Sequence, residues 1–213
     1  LVALGFKEMT GPIVELSFFN CDALYMPQNH PAREVHDMYF IKNPAFGSLT
    51  RYSEVLKNVK ETHENGWKTG SKGWRYNFST SEASRLMLRS QTTALSARML
   101  LSKDLEIPGK YFAIARCYRP DVVDRTHLTE FNQVEGIVLG EDLSFRDLLG
   151  ILERFAVEIA EADKIKFRPG YFPFTEPSVE LHAYKEGYGW LEFGGAGIFR
   201  PEVTLPLGVK VPV

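Results

Sequence analysis

The spacing of apolar residues along the chain predicts three helices. In residues 144–163, apolar side chains recur at helical intervals, and Ser144 followed by Asp147 has the form of a capping box. The same spacing predicts a second helix over residues 49–64 and a third over residues 92–101.

Segments rich in aromatic and β-branched residues predict strands elsewhere in the chain. These segments are residues 111–118, 131–138, 165–174, 179–184 and 190–193. Short loops join most of them and few helices separate them, which favours an antiparallel sheet flanked by helices over a doubly wound nucleotide-binding fold. The predicted fold class is therefore α+β.

Composition narrows the class of protein further. The chain has 213 residues, of which 44% are hydrophobic and 24% charged, which excludes a disordered tail, a collagen-like fibre and a coiled coil. No apolar run approaches the roughly 20 residues of a membrane-spanning helix, so we expect no membrane role. The formal charge of −2 does not predict a protein that coats nucleic acid, although it is compatible with a local basic patch.

The cysteines and the two ends of the chain give two more expectations. Cys21 and Cys117 are too few for a disulfide framework, which favours a reducing, cytoplasmic location. The chain opens on Leu1 without an initiator methionine and closes on a strand-like segment at Val213. We therefore expect a fragment cut at both sides.

One face of the predicted strand 131–138 carries unusual side chains. Residues two apart share a face, so Phe131, Gln133 and Glu135 lie in line. Burying such a carboxylate without a partner would cost several kcal/mol. This face is therefore either exposed to solvent or part of a binding site.

The preceding strand and loop favour the binding site. Small side chains share a face with Arg119, which leaves room for a ligand beside a permanent cation. The charged loop of residues 121–127, with Arg125 and His127, is suited to close over an anion. No glycine-rich phosphate loop or dinucleotide motif is present, so nucleotide binding here would depend on side chains.

Two later segments carry further candidates. Phe172, Phe174 and Glu176 occupy alternate positions, and Glu192 precedes a run of small residues at 194–197. The aromatic pair fits a hydrophobic core as well as a ligand pocket, and the glycine run fits a bulge or a turn. The two glutamates are either solvated or ligands for a hard cation.

Several of these segments, taken in order, resemble the class II aminoacyl-tRNA synthetases. Residues 119–136, from Arg-Pro-Asp to Val-Glu-Gly, resemble motif 2, and residues 5–12 with 29–33 resemble the motif 1 region. The fullest match is to the α-subunit family of phenylalanyl-tRNA synthetases of the archaeal and eukaryotic type. The resemblance implies one class II catalytic core over residues 1–213, built on an antiparallel sheet of six or seven strands.

The resemblance also implies an activity and its partners. In this family, the carboxylate of L-phenylalanine attacks the α-phosphate of ATP, and the resulting phenylalanyl-adenylate passes its acyl group to tRNA(Phe). Mg²⁺ accompanies ATP, and the α subunit joins a β subunit in an α₂β₂ heterotetramer in the cytoplasm. Catalysis needs positioning and charge stabilisation at phosphorus, without a covalent enzyme intermediate.

The resemblance also implies a role for each residue that occupies a functional position of the family's motifs. Arg119 would be catalytic, bridging the attacking carboxylate and the α-phosphate, while Phe131 would stack on adenine. The implied ATP-binding residues are Arg119, Asp121, His127 and Phe131. The implied phenylalanine-binding residues are Thr93, Gln133, Val134, Glu135, Phe172, Phe174, Ala196 and Phe199, with Gln133 and Glu135 on the amino group. Glu176 and, less directly, Glu192 would bind the metal, and Pro12 would lie at a subunit contact.

The chain departs from the family pattern in three places. Gln91 stands where the family usually has histidine, and Asp121 stands where motif 2 usually has glutamate. Motif 3 is expected past Val213, so we expect this stretch alone to bind ATP poorly.

Two alternative functions stay open. A sibling such as phosphoseryl-tRNA synthetase has the same core, but Phe172, Phe174 and Ala196 suit a doubly anionic substrate badly. A non-catalytic assembly subunit is the other alternative, against which Arg119 and Glu135 argue.

Overall fold

The computed structural model describes residues 1–34, 38–124 and 127–213. They form two compact units: unit 1 comprises Leu1–Val138 and Pro201–Lys210, and unit 2 comprises Leu139–Arg200 and Val211–Val213. The expectation of one core over residues 1–213 therefore stays a prediction.

The described chain contains helices and strands that largely occur in runs of one kind. The α-helices are α1 (Ser17–Asn20), α2 (Ser53–Asn65), α3 (Thr80–Ser84), α4 (Thr93–Leu100), α5 (Phe145–Arg154) and α6 (Pro201–Thr204). The strands are β1 (Lys7–Glu8), β2 (Val14–Leu16), β3 (Leu86–Leu88), β4 (Gly109–Tyr118), β5 (Glu130–Leu139), β6 (Lys164–Pro169), β7 (Thr175–Lys185) and β8 (Gly189–Phe199). This mixture of helices and largely antiparallel strands confirms the α+β class.

The predicted helices are present, but one is shorter than expected. Ser144 and Asp147 form the predicted capping box at the start of α5. The helix continues as a π-helical turn, Phe155–Ile159, and then stops at Glu161, whose φ of 52° is left-handed and cannot continue a right-handed helix. The prediction that this helix reaches residue 163 is therefore wrong, whereas α2 and α4 confirm the other two.

Unit 1 contains the sheet β1–β4–β5 and the separate antiparallel pair β2–β3. β1 runs parallel to β4, with Lys7 opposite Tyr111. The N–H of Arg119 donates to Thr129 O at one end of the β4–β5 pair. At the other end, a Cβ added at Gly136 would lie 3.8 Å from Tyr111 O. The strands β4 and β5 are therefore antiparallel, as the sequence predicts for residues 111–118 and 131–138.

The core of unit 1 fixes the helices beside this sheet. Phe18 and Phe19 of α1 are fully buried, and α1 packs against α3 and α4. A neighbouring cluster contains Cys21, Met87 and two further methionines, Met26 and Met38. Both cysteines are free thiols, as expected.

Unit 2 contains the antiparallel sheet β6–β7–β8. The predicted strand over residues 165–174 is wrong in its second half, because β6 ends at Pro169 and the chain turns back, with Thr175 N–H donating to Phe172 O. The glycine run at 194–197 lies within β8 and is not a turn, although the register shifts beside it at Phe193. The expectation of one sheet of six or seven strands stays a prediction.

No helix among the described residues is long and apolar enough to cross a membrane.

Candidate active site

Glu135 on β5 carries a carboxylate that two hydroxyl groups of α4 hold in place. Its oxygens accept hydrogen bonds from Ser96 Oγ at 2.9 Å and from Thr93 Oγ1 at 3.1 Å, both on α4. Burial raises the pKa of Glu135 to about 7, and these two hydrogen bonds offset only part of the effect. A positively charged ligand group beside it would therefore favour the ionised carboxylate.

The polar face of β5 is turned inward. Gln133 and Glu135 are half-buried, whereas Asn132 and Val134 on the opposite face are exposed. The alternative that the polar face is simply exposed to solvent is therefore wrong.

Gln133 is held by its carbonyl oxygen. Its Oε1 accepts the Thr92 N–H at 3.3 Å and lies 3.7 Å from the thiol of Cys117. A backbone N–H can only donate, so the atom that faces Thr92 is oxygen and the Nε2 group is the one presented to a ligand. This orientation suits an oxygen of the ligand better than the amino group that the resemblance implies.

Arg119 and Phe131 lie together at the end of the β4–β5 hairpin. Arg119 Nε donates to Ser90 O at 3.0 Å, and its guanidinium carbon lies 5.3 Å from the centre of the Phe131 ring. The guanidinium is thereby fixed at one nitrogen while the side chain stays exposed. A planar cation beside an aromatic ring can bind an anion next to a stacked base.

The loop between β4 and β5 holds His127. Its Nδ1 lies 2.9 Å from Asp124 Oδ2, and this hydrogen bond raises the pKa of His127. Asp121 is half-buried at the start of the loop. The predicted candidate Arg125 lies outside the described residues, as does Thr126.

Unit 2 has an aromatic cluster shaped by a glycine. The rings of Phe172 and Phe174 are stacked with centroids 5.8 Å apart, and Phe199 meets Phe174 at 6.3 Å. A Cβ added at Gly195 would lie 2.2 Å from Phe172 Cζ, so Phe172 occupies the space that a side chain would fill. Ala196 is half-buried in the same strand.

The two candidate metal ligands are far apart within unit 2. Glu192 pairs with His182, whereas Glu176 falls between Thr175 and Ser178, which pair with Phe199 and Gly197 at the other end of β8. About six residues of strand at roughly 3.4 Å each separate them by about 20 Å. Both carboxylates are exposed, and they cannot hold the same ion.

No group of three His, Cys, Asp or Glu side chains suited to a metal occurs among the described residues.

The predicted residues thus fall into two groups, one in each unit. Unit 1 brings Thr93, Gln133 and Glu135 together and places Arg119 beside Phe131. Val134 is a correction, because its side chain lies on the opposite face of β5 and is 45% exposed.

Sequence reasoning missed three residues of unit 1: Ser96, which binds Glu135, and Ser90 with Asn20, which bind each other. Only Ser96 carries a local signal, since it lies three residues after Thr93 on one helix face.

Comparisons with known proteins define first the class and then the family. The crystal structure of pyrrolysyl-tRNA synthetase from Desulfitobacterium hafniense matches 99% of this chain and 59% of that chain, with a TM-score of 0.63 and 14% identity. This chain therefore shares its fold. The family model "tRNA synthetases class II core domain (F)" matches residues 1–213, and the chain belongs to that family.

Its similarity to curated relatives is much higher. It is 59% identical over 214 residues to the phenylalanine–tRNA ligase alpha subunits of Thermococcus kodakarensis and Pyrococcus abyssi. It is 57% identical over 213 residues to that of Treponema pallidum. In each case all of this chain is covered, but it spans only 42%, 42% and 38% of the relatives' lengths. The predicted resemblance is confirmed.

Proposed function

We propose that this chain is the catalytic core of a phenylalanine–tRNA ligase alpha subunit, which activates L-phenylalanine with ATP and transfers it to tRNA(Phe). The relatives' names support the substrate, and one local observation carries the chemistry. That observation is the Glu135 carboxylate, which is held by Thr93 and Ser96 and has a pKa raised by burial.

We propose that polar groups recognise the ammonium and carboxylate groups of the amino acid, and that aromatic side chains recognise its ring. The ammonium group of phenylalanine pairs with ionised Glu135, and the Nε2 group of Gln133 donates to a carboxylate oxygen of the substrate. Within unit 2, taken by itself, the rings of Phe172, Phe174 and Phe199 have the aromatic character that packs against a phenyl ring, and Ala196 lies in the same strand as Phe199. An apolar cluster of this kind disfavours phosphoserine, whose phosphate would need added cations.

Arg119 is the residue proposed to act on the reaction itself. A substrate carboxylate oxygen forms a bond to the α-phosphorus of ATP while the bond to the pyrophosphate oxygen breaks. A guanidinium bridging the carboxylate and the α-phosphate stabilises the charge that spreads over the phosphoryl oxygens. Phe131 stacks on the adenine, while His127 and Asp121 contact the nucleotide from the loop.

Mg²⁺ is proposed to accompany ATP, with Glu176 as the protein ligand. Mg²⁺ commonly binds through one or two carboxylates together with substrate phosphates and water, so a single glutamate fits. Glu192 does not fit beside it, because about 20 Å of strand separates the two.

The proposed partners follow from the relatives' name and chemistry. An alpha subunit implies a second, beta subunit, which we propose completes an α₂β₂ assembly. The other partner is tRNA(Phe), and the proposed location is the cytoplasm.

Amino-acid-dependent exchange of pyrophosphate into ATP tests this function. The full-length alpha subunit, purified with its beta subunit, is assayed with phenylalanine, with phosphoserine and without amino acid. We expect exchange with phenylalanine alone, a higher KM for phenylalanine in Glu135→Ala and a higher KM for ATP in Phe131→Ala.

The other outcomes identify the alternatives. Exchange with phosphoserine alone would assign the chain to the sibling synthetase. Absence of exchange, together with no heat of binding for ATP or phenylalanine, would assign it to assembly.

A further inference from the structure

We propose that Asn20 is a positioning residue for amino-acid recognition, acting through the loop of residues 90–93. This inference deepens the proposed function and rests on it. Asn20 is completely buried at the end of α1, and it lies 70 residues before the loop in sequence.

Asn20 fixes two consecutive residues of that loop. Its Nδ2 donates to Ser90 Oγ at 2.7 Å, and its Oδ1 accepts the Ser90 N–H at 3.2 Å. Its backbone oxygen accepts Gln91 Nε2 at 2.9 Å. Three hydrogen bonds from one rigid, buried residue define both the position and the orientation of the loop.

The loop in turn holds the polar residues of the candidate site. Ser90 O accepts Arg119 Nε, Thr92 N–H donates to Gln133, and Thr93 Oγ1 donates to Glu135. A displacement of the loop therefore disturbs three site residues at once, although the hydrogen bonds of Asn20 to the loop go to Ser90 and Gln91 and to none of the three. Phe131, proposed to bind adenine, receives no hydrogen bond from the loop and is affected only through Arg119.

The arrangement also accounts for Gln91, which replaces the family's usual histidine. Its amide group donates to Asn20 O, so here the side chain ties the loop to α1. Truncation of Asn20 removes its two side-chain hydrogen bonds to Ser90, whereas truncation of Gln91 removes only the bond to the backbone oxygen of Asn20. Both changes loosen the loop, and Asn20 carries the larger share.

The test compares Asn20→Ala with wild type in pyrophosphate exchange by the full-length protein and its beta subunit. We expect the KM for phenylalanine to rise about tenfold, since two side-chain hydrogen bonds are lost, and the KM for ATP to change less than twofold. Gln91→Ala should raise the KM for phenylalanine by a smaller factor. Thr62→Val is the matched control, because it removes a part-buried hydrogen bond of unit 1, from Thr62 Oγ1 to Asn58 O within α2, which involves no residue of the loop.

A purely structural role gives a different pattern. Partial unfolding lowers the concentration of active enzyme, which reduces apparent kcat and leaves both KM values unchanged. That result for Asn20→Ala would overturn the proposal. A rise in the KM for phenylalanine in Thr62→Val equal to that in Asn20→Ala would also overturn it.

A second variant covers the case in which Asn20→Ala does not fold. Ser90→Ala removes the partner of Asn20 Nδ2 and keeps the backbone, so it should raise the KM for phenylalanine several-fold. An unchanged KM would overturn the proposal. A wild-type protein without phenylalanine-dependent exchange would instead refute the proposed function.

Discussion

The two groups of candidate residues are built by opposite means. In unit 1, Glu135 and Gln133 are held by hydrogen bonds from Thr92, Thr93 and Ser96. In unit 2, Phe172 is fixed by contact with a strand that lacks a side chain at Gly195. Hydrogen bonds to polar atoms therefore fix the group in unit 1. Available space beside the aromatic rings fixes the group in unit 2.

This difference predicts how each group fails. A polar network tolerates small changes in volume but not the loss of a donor or a charge. A packed aromatic cluster tolerates changes in charge nearby but not an added carbon atom. The following substitutions test that contrast, from the largest expected effect to the smallest.

Gly195→Ala should have the largest effect. The new Cβ would lie 2.2 Å from Phe172 Cζ, so the ring must leave its position and the aromatic pocket changes shape. We expect kcat/KM for phenylalanine in pyrophosphate exchange to fall by about 10- to 100-fold, which corresponds to about 1.4–2.7 kcal/mol and lies within the usual cost of overpacking. Gly194→Ala is the control, since its Cβ would meet nothing within 4 Å. An equal loss in both variants would mean that strand flexibility, and not the Phe172 contact, is responsible.

Glu135→Gln should have the next largest effect and should alter pH dependence. Because burial raises the pKa of Glu135 to about 7, phenylalanine binding should weaken as the pH falls below 7, when the carboxylate becomes protonated. The variant should bind phenylalanine about tenfold more weakly at pH 8 and lose this dependence. Measured KM values that are independent of pH between 6 and 8 in the wild type would contradict the assignment.

The same group links stability to pH with a definite sign. A folded pKa above the unfolded value stabilises the protein fully below about pH 4.5, and this stabilisation is lost as the pH rises through about 7. Relative to Glu135→Gln, the wild type should therefore lose up to about 3 kcal/mol over this interval. Thermal unfolding at several pH values measures the difference, and a constant gap between the two proteins would refute it.

Alternation along β5 predicted that Phe131, Gln133 and Glu135 share one face, because the side-chain period of a strand is fixed by its geometry, but it left open whether that face points inward. Alternation could not identify the groups that form hydrogen bonds with the side chains of that face. Ser96 reaches Glu135 from a helix whose placement depends on tertiary packing, and Asn20 reaches Ser90 across 70 residues. Similarly, the predicted strand at 165–174 is too long, because β6 ends at Pro169 and the chain turns between Phe172 and Thr175, with the Phe172 ring in the space beside Gly195 across the sheet.

Glu176→Gln and Glu192→Gln distinguish the two candidate metal ligands, with a moderate effect expected. Glu176 follows Phe174 and Thr175 directly, whereas Glu192 lies about 20 Å farther along the sheet. Glu176→Gln should raise the Mg²⁺ concentration for half-maximal exchange about tenfold, and Glu192→Gln less than twofold. Titration of Mg²⁺ at fixed ATP measures both, and the reverse order would move the metal site to Glu192.

Val134→Ala should have the smallest effect and tests the facing of β5. Its side chain is 45% exposed on the side opposite Gln133 and Glu135, since consecutive strand residues point to opposite faces. The KM for phenylalanine should change less than twofold, whereas Gln133→Ala, one position earlier, should raise it about tenfold. Equal effects of the two variants would mean that phenylalanine contacts both faces, and the polar network of unit 1 would then not define the amino-acid site.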